Sequence, residues 1–155
     1  MFRLGVLSDT HGDAFGIREA ACKMGEVNAV AFLGDCVSDL NQIRSVFSVP
    51  VYAVAGNCDM FADEPRETVL ELEGKRIFIC HGHNYRVKLT YELLYYRTLE
   101  LKCDAALFGH THSSYSSYDG GVLLFNPGSA SGHNGTCGVL EFRENGLVPL
   151  VYRIN

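Results

Sequence analysis

Residues 2–57 alternate short apolar runs with amphipathic stretches, and that alternation limits the fold more than any other feature of the chain. Phe2–Leu7 is apolar and ends in a polar turn, which predicts a strand. Ile17, Ala20, Ala21 and Met24 recur at i, i+3, i+4 and i+7, one helix face, and Gly25 supplies a stop. Val27–Leu33 predicts a second strand, ending at Gly34-Asp35. Leu40, Ile43 and Phe47 share a face of a second helix, bounded by Pro50. Val51–Ala55 predicts a third strand, ending at Gly56-Asn57. Strands connected in this βαβαβ manner run parallel, with the crossover helices packed on the sheet.

The second half changes character. Thr68–Leu72 and Arg76–Cys80 read as a hairpin through Glu73-Gly74-Lys75. A third helix is expected over Thr90–Leu101, with Tyr91, Leu94 and Tyr95 on one face, followed by a strand at Ala105–Phe108. Ser114–Tyr118, Val122–Phe125, Gly138–Phe142 and Leu147–Tyr152 are short β runs, with hairpin turn signals at Asp119-Gly120-Gly121 and Glu144-Asn145-Gly146. No repeat, low-complexity tract or linker interrupts them. The expected fold is one α/β domain over residues 1–155, with two mixed sheets packed together and helices outside.

Composition narrows the function. The 155 residues are 47% hydrophobic and 20% charged, an ordinary globular balance. The formal net charge of -5 provides no basic footprint for nucleic acid. No apolar run is long enough to span a bilayer. The opening Met1–Asp13 turns polar too soon for a secretory signal. Six cysteines without a C-x-x-C pair suit a reduced, cytoplasmic protein with mostly buried thiols.

In α/β sheets, functional groups gather at the carboxyl ends of strands. Here those ends read Asp9-Thr10-His11, Gly34-Asp35, Gly56-Asn57-Cys58-Asp59, Cys80-His81-Gly82-His83 and Gly109-His110-Thr111-His112. Carboxylate, carboxamide and imidazole are ligands for borderline divalent metals. Seven such groups exceed the need of one ion; two ions sharing a carboxylate would use them all. On an extended segment, residues i and i+2 point the same way, so each D-x-H or H-x-H pair is expected to converge on the crevice, with His110 and His112 serving neighbouring ions. Each motif alone also has a bland reading: a helix-capping Asp35, an Asx turn at Asn57, surface histidines at 81 and 83, a polar loop at 110–112. It is their co-occurrence at successive strand ends that indicates a metal site.

Together the DTH, GD, GN-x-D, HGH and GHTH motifs, with Asn126-Pro127-Gly128-Ser129, resemble the calcineurin-like metallophosphoesterase superfamily. The likeness is to its small bacterial and archaeal phosphodiesterases of the YfcE type, whose fold the retromer scaffold subunit shares. It runs from Asp9 to about Ser129. It implies a four-layer α/β/β/α sandwich and a phosphodiesterase with two divalent ions, manganese first, or nickel, zinc, iron, cobalt or magnesium. Asp9, His11, Asp35 and His112 would hold one ion, and Asp35, Asn57, His81 and His110 the other, with Asp35 bridging. The implied reaction is in-line attack of a bridging hydroxide on a small phosphodiester. Two departures stand out. Cys58 occupies the position where much of the superfamily has a proton-donating histidine, and Ala130–Gly135 lacks the basic residue that relatives often place after the NPGS motif.

Around this core, His83 is a candidate leaving-group donor or phosphate contact, and Cys58 either a donor or a small packing residue. Asp59 is expected to orient a ligand or cap the next helix. The alternative function is a catalytically weak or inactive scaffold of the same fold. Expected partners are a small phosphoester, with neither nucleic acid nor membrane. Tyr91, Tyr95 and Tyr96 suit either a homo-oligomer face or packing on the sheet.

Overall fold

The computed structural model describes residues 1–155. The elements run β1 (Phe2–Leu7), α1 (Ala14–Met24), β2 (Ala29–Phe32), α2 (Leu40–Val46), β3 (Val51–Ala53), β4 (Glu67–Leu72), β5 (Lys75–Cys80), α3 (Glu92–Glu100), β6 (Ala105–Leu107), β7 (Tyr115–Asp119), β8 (Val122–Asn126), β9 (Thr136–Arg143) and β10 (Gly146–Arg153). Short 3₁₀ turns occupy Val37–Asp39 and His83–Tyr85.

Two five-stranded mixed sheets result, ordered β10-β9-β1-β2-β3 and β4-β5-β6-β8-β7. In the first, β1, β2 and β3 are parallel, and β9 and β10 join antiparallel. In the second, β5, β6 and β8 are parallel, flanked by antiparallel β4 and β7.

Alternation of side chains along the strands sets the layers. Leu4, Val6 and Ala31 of the first sheet meet Ile77, Ile79, Leu107 and Phe125 of the second in one core. On the outer face of the first sheet, Val30, Phe32 and Val139 pack against Ile17, Ala20 and Met24 of α1 and Ile43 of α2. On the outer face of the second, Phe78, Ala106 and Leu124 pack against Leu94 of α3. The stack is therefore helices, sheet, sheet, helix, the expected four layers. Because β1, β2 and β6 are covered on both faces, they read as continuous apolar runs.

Boundaries moved where side chains compete with the ladder. Asp13 caps α1 by accepting from Gly16 N at 2.9 Å. Expected to begin at Thr90, α3 begins at Glu92, whose N–H donates to Thr90 Oγ1 at 3.2 Å. β3 stops at Ala53, and the N–H of Ala55 turns instead to the Pro65 carbonyl at 2.8 Å. The expectation of mostly buried thiols is only half met: Cys80, Cys103 and Cys137 are buried, Cys36 is half-buried, and Cys22 and Cys58 are exposed. No helix is long and apolar enough to cross a membrane.

Candidate metal centre

The carboxyl ends of β1, β2, β3, β5 and β6 lie along one edge, where the two sheets meet, and deliver the polar motifs there. Asp9 sits at the centre. Its Oδ2 accepts from Ser8 Oγ at 2.6 Å and from the His110 N–H at 3.1 Å, which fixes the carboxylate. Its Oδ1 is buried and has no hydrogen-bond partner. Around Oδ1 stand three imidazole Nε2 atoms: His112 at 3.2 Å, His81 at 3.7 Å and His11 at 3.8 Å.

Asp35 approaches the same imidazole nitrogen, with Oδ2 at 3.3 Å from His81 Nε2. Its other oxygen accepts from the Cys58 N–H at 3.0 Å. His81 Nδ1 lies 2.7 Å from the Leu33 carbonyl, which as acceptor fixes the proton on Nδ1 and leaves the Nε2 lone pair toward the two aspartates. His81 Nε2, like Asp9 Oδ1, is buried and unpartnered. Two sets of mutually close ligand atoms follow, Asp9–His11–His112 and Asp9–Asp35–His81.

His110 and His112 turn to different neighbours. The His112 ring lies 5.2 Å from His11, whereas His110 lies 5.1 Å from His81 and 6.1 Å from His83. His83 Nδ1 is also buried without a partner. Asn57 is exposed at the rim, where its amide donates to Cys58 Sγ at 3.7 Å.

The backbone reason expected for this convergence does not hold. Asp9, His11, His110 and His112 are not extended; their φ angles are 54°, 45°, 71° and 62°. Asp35 and Cys36 are left-handed too, at 62° and 83°. Six of the ten non-glycine residues with positive φ thus sit in these loops. Asp and His tolerate this region better than most residues, and strain of this kind collects where surrounding contacts over-determine it. Paired left-handed turns, rather than strand pleating, aim the side chains inward.

Two glycines permit the closeness. A Cβ on Gly109 would stand 1.9 Å from Ser8 Oγ, and one on Gly56 would stand 2.1 Å from Asp35 Oδ1. Asp59 binds the loops from beneath. Its buried carboxylate accepts from the N–H groups of Asp35, Cys36, Val37 and Gly56, each at 2.8 Å. It therefore both orients Asp35 and caps the turn after β2. Sequence reasoning had no signal for Ser8, nor for Arg66, whose guanidinium donates to the Gly56 carbonyl.

The electrostatics keep Asp35 ionised and His110 neutral, and they favour a proton on His81. Burial opposes ionisation of Asp35, but His81 and the Cys58 N–H outweigh it and hold the carboxyl well below the usual range. Burial likewise opposes charge on His81, yet the neighbouring Asp35 and Asp9 raise its pKa. Burial and the His81 charge push His110 down to about 4. Burial, with repulsion from His81 and Arg66, lowers His83. Burial and the Asp35 charge raise the Cys58 thiol, so it stays neutral.

Comparison with known proteins bears on these loops. The family model for the calcineurin-like phosphoesterase superfamily domain matches residues 2–145. The chain belongs to that superfamily. It is 35% identical over 125 residues to the probable metallophosphoesterase YsnB of Bacillus subtilis, covering 80% of this chain and 72% of that one. Among solved structures, a predicted phosphoesterase from Streptococcus pneumoniae superposes with a TM-score of 0.83 at 27% identity, over 99% of this chain and 90% of the other. Vps29 of Entamoeba histolytica, a D62A mutant, shares the fold at a TM-score of 0.76 and 21% identity, over 99% of this chain and all of that one. As a phosphoesterase-superfamily member, the chain has the carboxylates and imidazoles that divalent metals require.

Proposed function

We propose that this protein is a metal-dependent phosphodiesterase acting on small phosphodiesters with two divalent ions. One observation carries the reading: Asp9 Oδ1 and His81 Nε2 are buried, unpartnered and 3.7 Å apart. Buried polar atoms are almost always hydrogen-bonded. Two unpartnered ligand atoms facing each other beyond hydrogen-bond length are what a centre built to hold cations looks like. The donor set of carboxylate oxygen and imidazole nitrogen fits such an ion.

Asp9, His11, Asp35 and His112 would hold one ion, and Asp35, Asn57, His81 and His110 the other. When bound, the ions supply Lewis-acid neutralisation of phosphate charge and acidify a water to serve as nucleophile. The chain's part is to keep its ligands deprotonated and aimed. His110 is neutral at pH 7, and Asp35 is ionised. Deprotonating His81 costs more because of Asp9 and Asp35, and a bound ion would supply the counter-charge in place of that proton. His83, neutral and beside His110, would donate a hydrogen bond to the leaving oxygen. The neutral Cys58 thiol packs beside Asp35 and takes no part as a thiolate ligand. Nitrogen and oxygen donors suit manganese, iron, cobalt, nickel or zinc more than calcium, and the resemblance to the superfamily puts manganese first. Unpaired thiols fit a cytoplasmic location.

The test is hydrolysis of bis-p-nitrophenyl phosphate by metal-stripped protein, with and without added Mn²⁺, beside Asp35→Asn. The expected result is metal-dependent turnover that the variant loses. Absence of turnover with every divalent metal, in protein that binds two ions, contradicts the reading.

A scaffold role has one observation of its own. The outer face of α3 exposes Leu93, Tyr96 and Leu99 at 47%, 63% and 41%, whereas Tyr91 and Tyr95 pack against the second sheet's outer core. This apolar stripe suits a protein contact, including a homodimer. Sedimentation of wild type beside Tyr96→Glu separates the two: a dimer dissociates, and a monomer is unchanged.

A further inference from the structure

The loops that carry the candidate ligands, residues 8–13, 34–39, 56–59, 81–83 and 109–113, contain no lysine or arginine. Residues 130–135, after Ser129, contain no lysine or arginine. Three independent contacts bring one in from the opposite wall.

The first is strand register. β4 pairs antiparallel with β5, Glu67 opposite Cys80. Continuing that register by one residue sets Arg66 alongside His81. The second is a tether: the Pro65 carbonyl accepts from Ala55 N–H at 2.8 Å, which ties the chain entering β4 to the chain leaving β3. The third is the side chain. Arg66 lies on the same face of its strand as Leu70 and Leu72, which turn into the core between the sheets. Its Nη1 donates to the carbonyl of Gly56, the residue before Asn57. A Cβ on that glycine would touch Asp35 Oδ1 at 2.1 Å, so one peptide unit separates the guanidinium from the Asp35 carboxylate.

Arg66 is nevertheless exposed, and no carboxylate forms an ion pair with it. A guanidinium carries five donors in a planar fork that matches phosphate. One donor is used on Gly56, which fixes the fork; the others make no hydrogen bond within the chain. We propose that Arg66 is the phosphate-binding cation of this site, gripping a non-bridging oxygen of the substrate from the β4 side. The inference rests on the phosphoesterase reading and adds a substrate contact that the ligand motifs do not contain.

The experiment is isothermal titration of inorganic phosphate into Mn²⁺-loaded wild type, Arg66→Gln and Arg66→Lys, with bound manganese counted in each. Loss of a charge-assisted contact predicts phosphate affinity reduced roughly tenfold or more in Arg66→Gln, partly restored in Arg66→Lys, at unchanged manganese content. Equal phosphate affinity in all three proteins overturns the proposal. So does loss of manganese in Arg66→Gln, which makes the residue a support for the Asn57 loop rather than a phosphate ligand. Arg66-dependent phosphate binding without turnover of any diester upholds the proposal while removing the hydrolase.

Discussion

Asp9 Oδ1 and His81 Nε2 face each other across 3.7 Å, both buried and neither with a hydrogen-bond partner. An arrangement this costly in isolation is relieved when each atom ligates a cation. Adding Mn²⁺ at about a hundred times its dissociation constant should stabilise the fold by about 2.7 kcal/mol. For a chain of this size that raises Tm by about 5–10 °C. Asp9→Asn should abolish the shift, and thermal melts with and without metal check it.

Asp59 is the strongest single tie among the ligand loops. Asp59→Ala strands four N–H groups, those of Asp35, Cys36, Val37 and Gly56. Each lost charged bond is worth about 1.5–3 kcal/mol before relaxation and water recover part of it. A net loss of about 3–5 kcal/mol is expected in urea titration. An unchanged midpoint contradicts the bonding described for Asp59.

Gly109→Ala places a methyl 1.9 Å from Ser8 Oγ and 2.7 Å from Asp9 Oδ2. Overpacking of this kind costs about 1–3 kcal/mol, and here it also displaces the Asp9 carboxylate. Ser8→Ala in the same chain removes the nearer clash. The double variant should therefore recover stability by denaturant titration but not full metal affinity, since Ser8 no longer anchors Asp9.

Acid sensitivity should arise partly far from the site. Glu141 on β9 meets Arg143 Nε at 2.8 Å and Arg3 Nε at 3.4 Å. The Arg143 hydrogen bonds, with both positive charges, lower its pKa from 4.5. A carboxyl whose folded value is depressed contributes stability above its unfolded value and loses it as pH falls through the folded one. Glu141→Gln should be the less stable protein at pH 7, with the gap narrowing by pH 3. A gap of equal size at both pH values contradicts the pairing.

Periodicity made α1 and β1 legible, because Ile17, Ala20 and Met24 are buried on one face and Leu4 and Val6 on one side. The two turn signals after β4 and β7 were legible for a local reason: Glu73-Gly74 and Gly120-Gly121 all take positive φ. The ligand residues were visible as polar endings of apolar runs. Their conformation was not. Left-handed φ at Asp9, His11, His110 and His112 is imposed by contacts from other loops, such as the His110 N–H on Asp9, which no local pattern encodes. Arg66 was hidden for the same reason. The β4–β5 ladder brings the adjoining Glu67 opposite Cys80, and the meeting of the two sheets sets Arg66 beside Gly56.

The measurement that bears most directly on the two-ion reading is metal stoichiometry. Metal-stripped protein is reloaded with Mn²⁺, dialysed and counted by elemental analysis, beside Asp35→Asn. The account predicts two manganese ions per chain in wild type and fewer in the variant, which loses the shared carboxylate. One ion or none in folded wild type, or two in both proteins, contradicts it.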